Sequence, residues 1–398
     1  MLITLFATHY ENKLMVASRR WRSLVFVLCK EGVDICVVTP GEEATEYTGE
    51  YGETVLVFKS TRVKKNTAAG LKKGDSRKVI NTPFPYLDVS VVNWYRAVRD
   101  FRVALYCSKS DVLISTYGPA GAILVGLWFS RKFKLPWVLD LRDSFQLPSS
   151  FTFKPLLKFN QRIEKFIVGQ ATLRVTIGKV LADNLSNKYQ SKFEYIYNGW
   201  LNADVINIQQ KPKTKPYFLY AGSVYEHQLN ALKLFLDELF IKESIILRIR
   251  LIKDYSGRLE EWLVENSFDE FVEVCPAVSN NELENEVKLS TGVLVLEELE
   301  PNDWQKGTVT GKLFPLLVSG VPGVVIAHPD VELSKLASKA KGWFCGHEKK
   351  STKQAVLSVI ECDRNELDSN RDIFKEYHYS FQARRLLKLC RDAINEYC

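Results

Sequence analysis

Short apolar runs alternate with longer amphipathic segments along most of the chain. Residues 1–200 contain seven runs with the composition of strands: LITLFAT, VDICVVT, TVLVFK, DVLIST, WVLDLRD, LRVTI and EYIYNG. Most are nearly continuous in Val, Ile and Leu, as a parallel sheet that is buried on both faces requires. Segments of helical length, such as ASRRWRSLVFVLCKEG and AGAILVGLWFSRKFK, lie between many of them. The alternation predicts repeated βαβ units and hence a doubly wound α/β domain.

The pattern restarts after a polar segment with two prolines, NIQQKPKTKP at 207–216. A proline-containing stretch without hydrophobic periodicity is typical of a linker. Six further strand-like runs follow it: YFLYAGS, IILRIRLI, EVCP, GVLVLEE, GVVIAH and GWFCG. We therefore predict two tandem Rossmann-like domains, 1–208 and 209–378, that face a cleft. The last segment, 379–398, has an apolar stripe at helical spacing and is predicted to pack back on the first domain.

Composition agrees with a globular chain, because 46% of the 398 residues are hydrophobic and 25% are charged. This length favours two domains, and no apolar run is long enough to span a bilayer. The N-terminus lacks the basic region and cleavage site of a signal peptide. The eight cysteines form no C-x-x-C pair, and the five histidines lack metal-ligand spacing. We therefore expect free thiols, no metal site and a cytoplasmic location.

The charge is distributed unevenly along the chain. Residues 1–200 carry 29 Lys and Arg against 17 Asp and Glu, whereas the remainder carries 25 against 30. The densest basic run, 61–78, has seven basic residues and one acid. This asymmetry indicates an acidic partner for the first half, either anionic lipid headgroups or a pyrophosphate-bearing substrate. A solubilising loop is the alternative. No helix-turn-helix or aromatic RNA-binding signature supports nucleic acid as a partner.

Polar residues follow several predicted strands of the first domain. Because parallel sheets bind ligands at the carboxyl ends of their strands, these residues are candidates for a site. Two acids flank an arginine after WVL, which is costly at the end of a buried strand unless the charges are paired or used. They either position an acceptor hydroxyl or form a structural ion pair. The candidate catalytic residues are Asp143, Arg142, Asp140 and His9, and the candidate acceptor-binding residues are Arg19, Tyr117 and Gly118.

In the second domain, residues 305–322, QKGTVTGKLFPLLVSGVP, resemble a phosphate-binding P-loop but differ in spacing. Only three residues separate Gly307 from Gly311, and Leu313 follows Lys312 where a hydroxyl residue is required. The turn still leads into a short helix, whose N-terminus favours anions. The candidate residues for binding the diphosphate and sugar of a donor substrate are Gly222, Ser223, Lys253, Glu298, Thr308, Thr310, Gly311, Lys312 and Leu313. Neither domain has the G-x-G-x-x-G pattern of NAD or FAD sites, so no cofactor is expected.

Over nearly its whole length the chain resembles bacterial glycosyltransferases of the GT-B fold, particularly family 4-like enzymes of surface-polysaccharide assembly. The segments LPWVLDLRDSF, YIYNGW, FLYAGSVYEHQLNALKLFLDEL and GKLFPLLVSGVPGVVI carry the resemblance in the family's order. It implies a nucleotide-sugar donor in the second domain, with Lys312 facing its diphosphate, and a glycan or lipid-diphosphate-linked acceptor in the first. It also implies retention at the anomeric carbon, no bound metal and a role in O-antigen or capsule-type biosynthesis at the inner membrane face. The segment 151–159, FTFKPLLKF, is a candidate membrane contact, and a loop that leads into a core helix is the alternative.

Two departures from the family pattern affect the donor site. Pro315 stands where the family usually has a glutamate that binds the nucleotide ribose, and 226–228, EHQ, replaces a loop that often carries a basic residue. Either another group, such as Glu297, Glu298 or Glu300, substitutes as the ribose ligand, or donor binding is weak or altered. The alternatives are a non-catalytic partner of an active transferase and a sugar-nucleotide epimerase of the same fold.

Overall fold

The computed structural model describes residues 1–12, 16–60, 89–118, 120–142, 154–202, 216–239 and 245–397. The basic run 61–78, the linker through residue 215 and part of the segment 151–159 lie outside these ranges. The chain divides into two compact units, one formed by Met1–Tyr197 with Tyr379–Cys398 and the other by Asn198–His378. Within the described ranges, no helix is long and apolar enough to cross a membrane.

Unit 1 is built on one eight-stranded sheet. Its strands are β1 (Leu2–Phe6), β2 (Asp34–Gly41), β3 (Thr45–Thr48), β4 (Thr54–Lys59), β5 (Val112–Thr116), β6 (Trp137–Asp140), β7 (Leu173–Thr176) and β8 (Glu194–Tyr195). Their order is β3-β4-β2-β1-β5-β6-β7-β8, and every pair is parallel except β3 with β4. All seven predicted strands are present. The sequence pattern missed β3, because all four of its residues are exposed at the sheet edge and its composition, TEYT, is polar.

Within the described ranges, six helices link these strands, and the C-terminal helix, Tyr379–Tyr397, adds a seventh. The six are α1 (Val16–Lys30), α2 (Val89–Arg99), α3 (Phe101–Lys109), α4 (Gly121–Phe133), α5 (Lys154–Gln170) and α6 (Lys179–Tyr189). Crossovers between parallel strands are right-handed, and the direction of strand addition reverses after β4. Consequently α1 covers one face of the sheet and α2 to α6 cover the other. The C-terminal helix packs on α1, and α2 and α3 pack on α4.

A buried ion pair joins α1 to the end of β6. The Arg20 guanidinium donates to Asp140 Oδ1 at 3.4 Å and to the Ile196 carbonyl at 2.6 Å. Trp21 Nε1 donates to the second carboxylate oxygen of Asp140 at 3.0 Å. Because Arg20 and Asp140 are both fully buried, each charge depends on the other for compensation.

Unit 2 contains a second sheet, of six strands that are all parallel. They are β9 (Tyr217–Val224), β10 (Ile246–Asp254), β11 (Val272–Pro276), β12 (Gly292–Leu296), β13 (Gly323–Ile326) and β14 (Trp343–Gly346), in the order β11-β10-β9-β12-β13-β14. The helices are α7 (Leu229–Leu239), α8 (Leu259–Glu265), α9 (Asn280–Leu289), α10 (Asp303–Lys306), α11 (Leu313–Leu317), α12 (Glu332–Ala337), α13 (Lys349–Glu361) and α14 (Asn370–Ile373). A core that includes Phe218, Phe235 and Leu247 lies between the sheet and α7.

We expect Arg20→Leu to lower the free energy of unfolding of unit 1 by about 3–5 kcal/mol, because it leaves the buried Asp140 carboxylate without its cation. Arg391 is exposed on the C-terminal helix of the same unit, so Arg391→Leu is the matched control and is expected to change stability by less than about 0.5 kcal/mol. Urea denaturation followed by tryptophan fluorescence measures both. Equal losses for the two variants would contradict a structural role for the ion pair.

Candidate functional site

The strand order of unit 2 reverses between β9 and β12, and the candidate donor residues gather at the carboxyl ends of these two strands. Open α/β sheets bind ligands at such a switch point, because the helices leaving the two strands cross on opposite faces. Gly222 lies near the end of β9 with φ of 148°, a conformation that side chains rarely adopt. Glu297 directly follows β12. The structure brings Lys312 from the turn before α11 against β9.

Lys312 is held by two groups of β9 and lies close to Gly222. Its ammonium donates to the Ala221 carbonyl at 3.1 Å and lies 4.0 Å from the centroid of the Tyr220 ring. A Cβ on Gly222 would stand 3.1 Å from Lys312 Nζ, so a side chain at this position would displace the ammonium. The Tyr220 ring is fixed in turn, because its hydroxyl donates to the Ser223 carbonyl at 2.6 Å. The site therefore presents one positioned cation beside a strand end that is open to close approach.

The protonation of Lys312 is coupled to that of Glu297. Burial lowers the pKa of Lys312 to about 8, and the charge of Glu297 opposes this shift. Burial also raises the pKa of Glu297 to about 7, with Lys312 opposing and Glu298 adding to the rise. A partly desolvated pair of this kind changes charge near neutral pH. An incoming anion would stabilise the charged lysine.

The turn before α11 offers less to an anion than a full helix N-terminus. The amide of Leu313 already donates to the Thr310 carbonyl, and Pro315 in the first turn has no N–H. The side chain of Leu313 is fully buried in the core, so its prediction as a donor-binding residue is corrected. Thr310 remains a candidate for ligand contact, because its buried Oγ1 has no hydrogen-bond partner among the described residues. Proline is compatible with the first turn of a helix, which explains why Pro315 does not disrupt α11.

The other predicted donor residues have varied surroundings. Glu298 is half-buried, and its Oε1 accepts from the amides of Leu299 and Glu300. Lys253 is exposed and lies over the ring of Tyr255, at 4.3 Å from its centroid. Thr308, Gly311 and Ser223 are half-buried at the same end of the unit. An open depression at the ends of β12 and β13 is lined by Leu299, Glu300, Pro301, Lys306, His328 and Asp330.

The loop that lacks the expected basic residue forms a short 3-10 helix, Glu226–Gln228. Its side chains are engaged within unit 2: Gln228 donates to the Leu296 carbonyl at 3.0 Å, and Glu226 pairs with Arg258 at 3.1 Å. Burial lowers the pKa of His227, and the charge of Glu298 opposes this shift. The loop therefore supplies a neutral imidazole where the family pattern has a cation.

In unit 1 the strand order reverses between β1 and β5, and four predicted residues meet there. Arg142 donates to the Tyr117 carbonyl at 2.8 Å, and its Nη2 is 2.9 Å from where a Cβ on Gly118 would lie. His9 lines the same small recess as Arg142 and Gly118. Burial lowers the pKa of His9, and the positive charge of Arg142 lowers it further. His9 is therefore a neutral imidazole that can accept a proton or a hydrogen bond.

The remaining predicted residues of unit 1 are placed differently. Asp140 is fully buried with both oxygens bonded, so it forms the structural ion pair that the sequence left as an alternative and cannot reach an acceptor hydroxyl. Arg19 is exposed on α1, away from the buried side chain of Arg20. Asp143 lies outside the described residues.

Sequence analysis gave no role to two residues that contact Lys312 or the turn before it. Tyr220 lies within an apolar strand pattern, so nothing distinguishes its role under Lys312 from ordinary packing. Asn198 belongs to unit 2, and its buried side-chain amide donates to the Val309 carbonyl at 3.5 Å, next to Thr308 and Thr310. The resemblance included Asn198 but gave it no role at this turn.

No protein-family model matches the chain, and no curated protein sequence matches it. Solved structures are similar over nearly the full length. Sucrose-phosphate synthase from Thermosynechococcus elongatus is 11% identical, with a TM-score of 0.71 over 100% of both chains. Anabaena Alr3699/HepE in complex with UDP and glucose is 10% identical, with a TM-score of 0.64 over 98% of this chain and 100% of that chain. A putative UDP-N-acetylglucosamine 2-epimerase from Listeria monocytogenes is 12% identical, with a TM-score of 0.53 over 97% and 94%. These similarities confirm the predicted α/β fold of the GT-B type.

We expect Glu297→Gln to lower the pKa of Lys312 by about one unit or more, because the substitution removes the carboxylate that favours the ammonium. Glu300→Gln is the control, since Glu300 is exposed and does not contribute to the shift of Lys312. NMR titration of the lysine Cε and Nζ resonances, assigned with Lys312→Arg, gives the pKa directly. An unchanged pKa in Glu297→Gln would show that the two groups are not coupled.

Proposed function

We propose that this protein is a glycosyltransferase that moves a sugar from a nucleotide-diphosphate donor to a hydroxyl of a glycan or lipid-linked glycan. One observation carries the proposal: a positioned, half-buried lysine stands beside a glycine strand end at the switch point of a GT-B unit. A diphosphate leaving group needs such a cation, because negative charge develops on it as the glycosidic bond breaks. The similarity to a fold that holds UDP and glucose in HepE agrees with this donor class.

The finer assignments extend this proposal. Lys312 binds the diphosphate without a metal, and the unpartnered hydroxyl of Thr310 provides a further polar contact. His9 and Arg142 bind the acceptor in unit 1, where the neutral imidazole accepts a hydrogen bond from the reacting hydroxyl. The reaction retains the anomeric configuration. The product is a surface polysaccharide of the O-antigen or capsule type, assembled at the cytoplasmic face of the membrane.

Donor ribose recognition differs from the family pattern, because Pro315 is buried and has no carboxylate. Glu297 and Glu298 are the nearest carboxylates described at this strand end, and both influence the Lys312 site. We assign ribose binding to Glu298, because the charge of Glu297 is coupled to that of Lys312. Glu298 is also oriented by two backbone amides, which leaves its second oxygen to accept from a hydroxyl.

A second candidate function is epimerisation of a sugar nucleotide, favoured by the similarity to the putative Listeria epimerase. An epimerase needs no acceptor, so the two reactions separate cleanly. Incubation of the protein with UDP-N-acetylglucosamine alone, followed by NMR of the sugar ring, is expected to show no epimer. Appearance of a second epimer without acceptor would replace the transferase proposal.

Calorimetric titration with UDP, GDP, dTDP, CDP and ADP tests the donor site. We expect saturable binding of one nucleotide, weakened by about tenfold or more in Lys312→Ala, because a charge-assisted contact with phosphate is worth about 1.5–3 kcal/mol. Lys306→Ala is the matched control, since Lys306 lies in the same segment but pairs with Asp303 at 3.0 Å. If no nucleotide binds at millimolar concentration, the chain is a non-catalytic partner instead.

Donor affinity is expected to fall as the pH rises through about 8, where Lys312 loses its proton in the free protein. The sign follows because the diphosphate binds the charged form, so binding takes up a proton where the free lysine is neutral. Between pH 7.5 and pH 9.5 the loss should reach about tenfold, measured by calorimetry in two buffers of different ionisation enthalpy. Lys312→Arg keeps its charge and should flatten the profile. An equally steep decline in that variant would assign the dependence to another group.

A further inference from the structure

The outer helix layer of unit 1 is unusually basic. Helices α2, α3, α4 and α5 carry ten Lys and Arg and a single acidic residue, Glu164. Glu164 is buried, where it accepts from the Tyr189 hydroxyl at 3.2 Å and from Lys188 at 3.3 Å. The carboxylate of Asp100, between α2 and α3, pairs with Arg102. The exposed charge of these four helices is therefore positive.

Large aromatic side chains are exposed on this layer, and three of them lie on α2, α4 and α5. Tyr95 on α2 is 54% exposed, Trp128 on α4 is 40% exposed and Phe166 on α5 is 53% exposed. Scattered apolar residues are ordinary on a protein surface, but neighbouring exposed aromatics on packed helices indicate an interaction surface. Here α2 packs on α4, and Arg131 of α4 reaches both Phe166 and Gln170 of α5.

Each of the three rings has a cation beside it. Arg99 lies 4.9 Å from the centroid of the Tyr95 ring, Lys132 lies 4.8 Å from that of Trp128, and Arg131 lies 5.2 Å from that of Phe166. Within the part of the chain that the structure describes, none of these three cations forms a salt bridge with a carboxylate. We call Tyr95, Arg99, Trp128, Arg131, Lys132 and Phe166 the aromatic–basic face.

The opposite side of unit 1 provides an internal comparison. There the C-terminal helix also carries arginines, but Arg384 pairs with Glu31 at 2.9 Å and Arg385 pairs with Glu194 at 3.3 Å. Two of the arginines on that side are thus paired with carboxylates within the unit.

We propose that the aromatic–basic face binds an anionic lipid bilayer. Tyr and Trp rings are stable at the level of the headgroups, where one edge meets acyl chains and the other meets water. Lysine and arginine beside them attract anionic headgroups, and the absence of exposed carboxylates on these helices removes repulsion. A bilayer fits better than an acidic protein, because the three rings are spread over three helices of one layer, as contact with a broad surface requires.

This inference deepens the proposed function by supplying the membrane contact that a lipid-linked acceptor requires. It is tested without any nucleotide sugar, so vesicle binding and glycosyl transfer can succeed or fail separately. The full chain is sedimented with vesicles of phosphatidylcholine alone and with vesicles containing about one-third phosphatidylglycerol, at about 0.05 M and about 0.5 M NaCl. We expect binding to the anionic vesicles only, weakened at high salt.

Two double variants separate charge from rings. Arg99→Glu/Lys132→Glu should weaken binding by about tenfold or more, since each basic residue near the surface contributes to attraction. Tyr95→Ser/Phe166→Ser should weaken binding at both salt concentrations, because the contact it removes is apolar. The matched control is Lys350→Glu/Lys353→Glu, which reverses two exposed lysines of α13 in unit 2 and should bind like the unaltered chain. Thermal melting of each variant verifies that it is folded.

Several results would overturn the proposal. One is the absence of sedimentation with anionic vesicles, and another is an equal loss in the α13 control, which would indicate attraction by net charge alone. Binding of poly-glutamate as tight as that of vesicles, unaffected by Tyr95→Ser/Phe166→Ser, would assign the face to an acidic protein. Self-association in the ultracentrifuge that Arg99→Glu/Lys132→Glu abolishes would assign it to a second copy of the chain.

Discussion

The reversal of strand order in each sheet is the constraint on which both candidate sites depend. In unit 1 the reversal lies between β1 and β5, and in unit 2 it lies between β9 and β12. Helices leaving such neighbouring strands cross on opposite faces, so no helix covers the two strand ends. Residues that follow those strands can therefore contact a ligand, whereas the strands themselves are buried. His9 and Tyr117 occupy this position in unit 1, and Gly222 and Glu297 occupy it in unit 2.

The Lys312 site combines burial with an incompletely compensated charge. Lys312 is withdrawn from water onto β9, where the Ala221 carbonyl and the Tyr220 ring replace part of its hydration. Full compensation by a carboxylate would neutralise the site towards anions. Instead Glu297 is itself desolvated, so its pKa rises to about 7 and its own charge is weakened. A diphosphate would compensate the charge of Lys312 better than Glu297 does. Pro315 is compatible with this arrangement, because proline is tolerated in the first turn of a helix and Lys312 contacts β9 through its side chain.

Unit 1 uses arginine in two opposite ways. Arg20 is enclosed with Asp140 and fixes α1 to the end of β6, which positions the backbone that leads to Arg142. Arg99 and Arg131 lie at the surface beside aromatic rings, and neither has a carboxylate partner among the described residues. The Arg20–Asp140 pair stabilises the strand end that leads to the recess around His9. The charges of Arg99 and Arg131 are available to a partner outside the protein. The layered βαβ architecture separates the two, because α1 and α2 to α5 lie on opposite faces of one sheet.

The sequence by itself determined the α/β class and the tandem arrangement of the strand runs, because continuous apolar runs are local signals. It also singled out Lys312 as a candidate, because a glycine-rich turn is a local signal too. It also placed His9, Arg142, Tyr117 and Gly118 after strands, and the structure brings these four together. Only the tertiary structure decided that Asp140 is a structural residue and that Leu313 is core, because burial depends on the helix packed above a strand end. The support of Lys312 by Tyr220 and the alignment of rings and cations on α2, α4 and α5 were likewise invisible in the sequence. Both depend on contacts between residues distant along the chain, which hydrophobic periodicity does not specify.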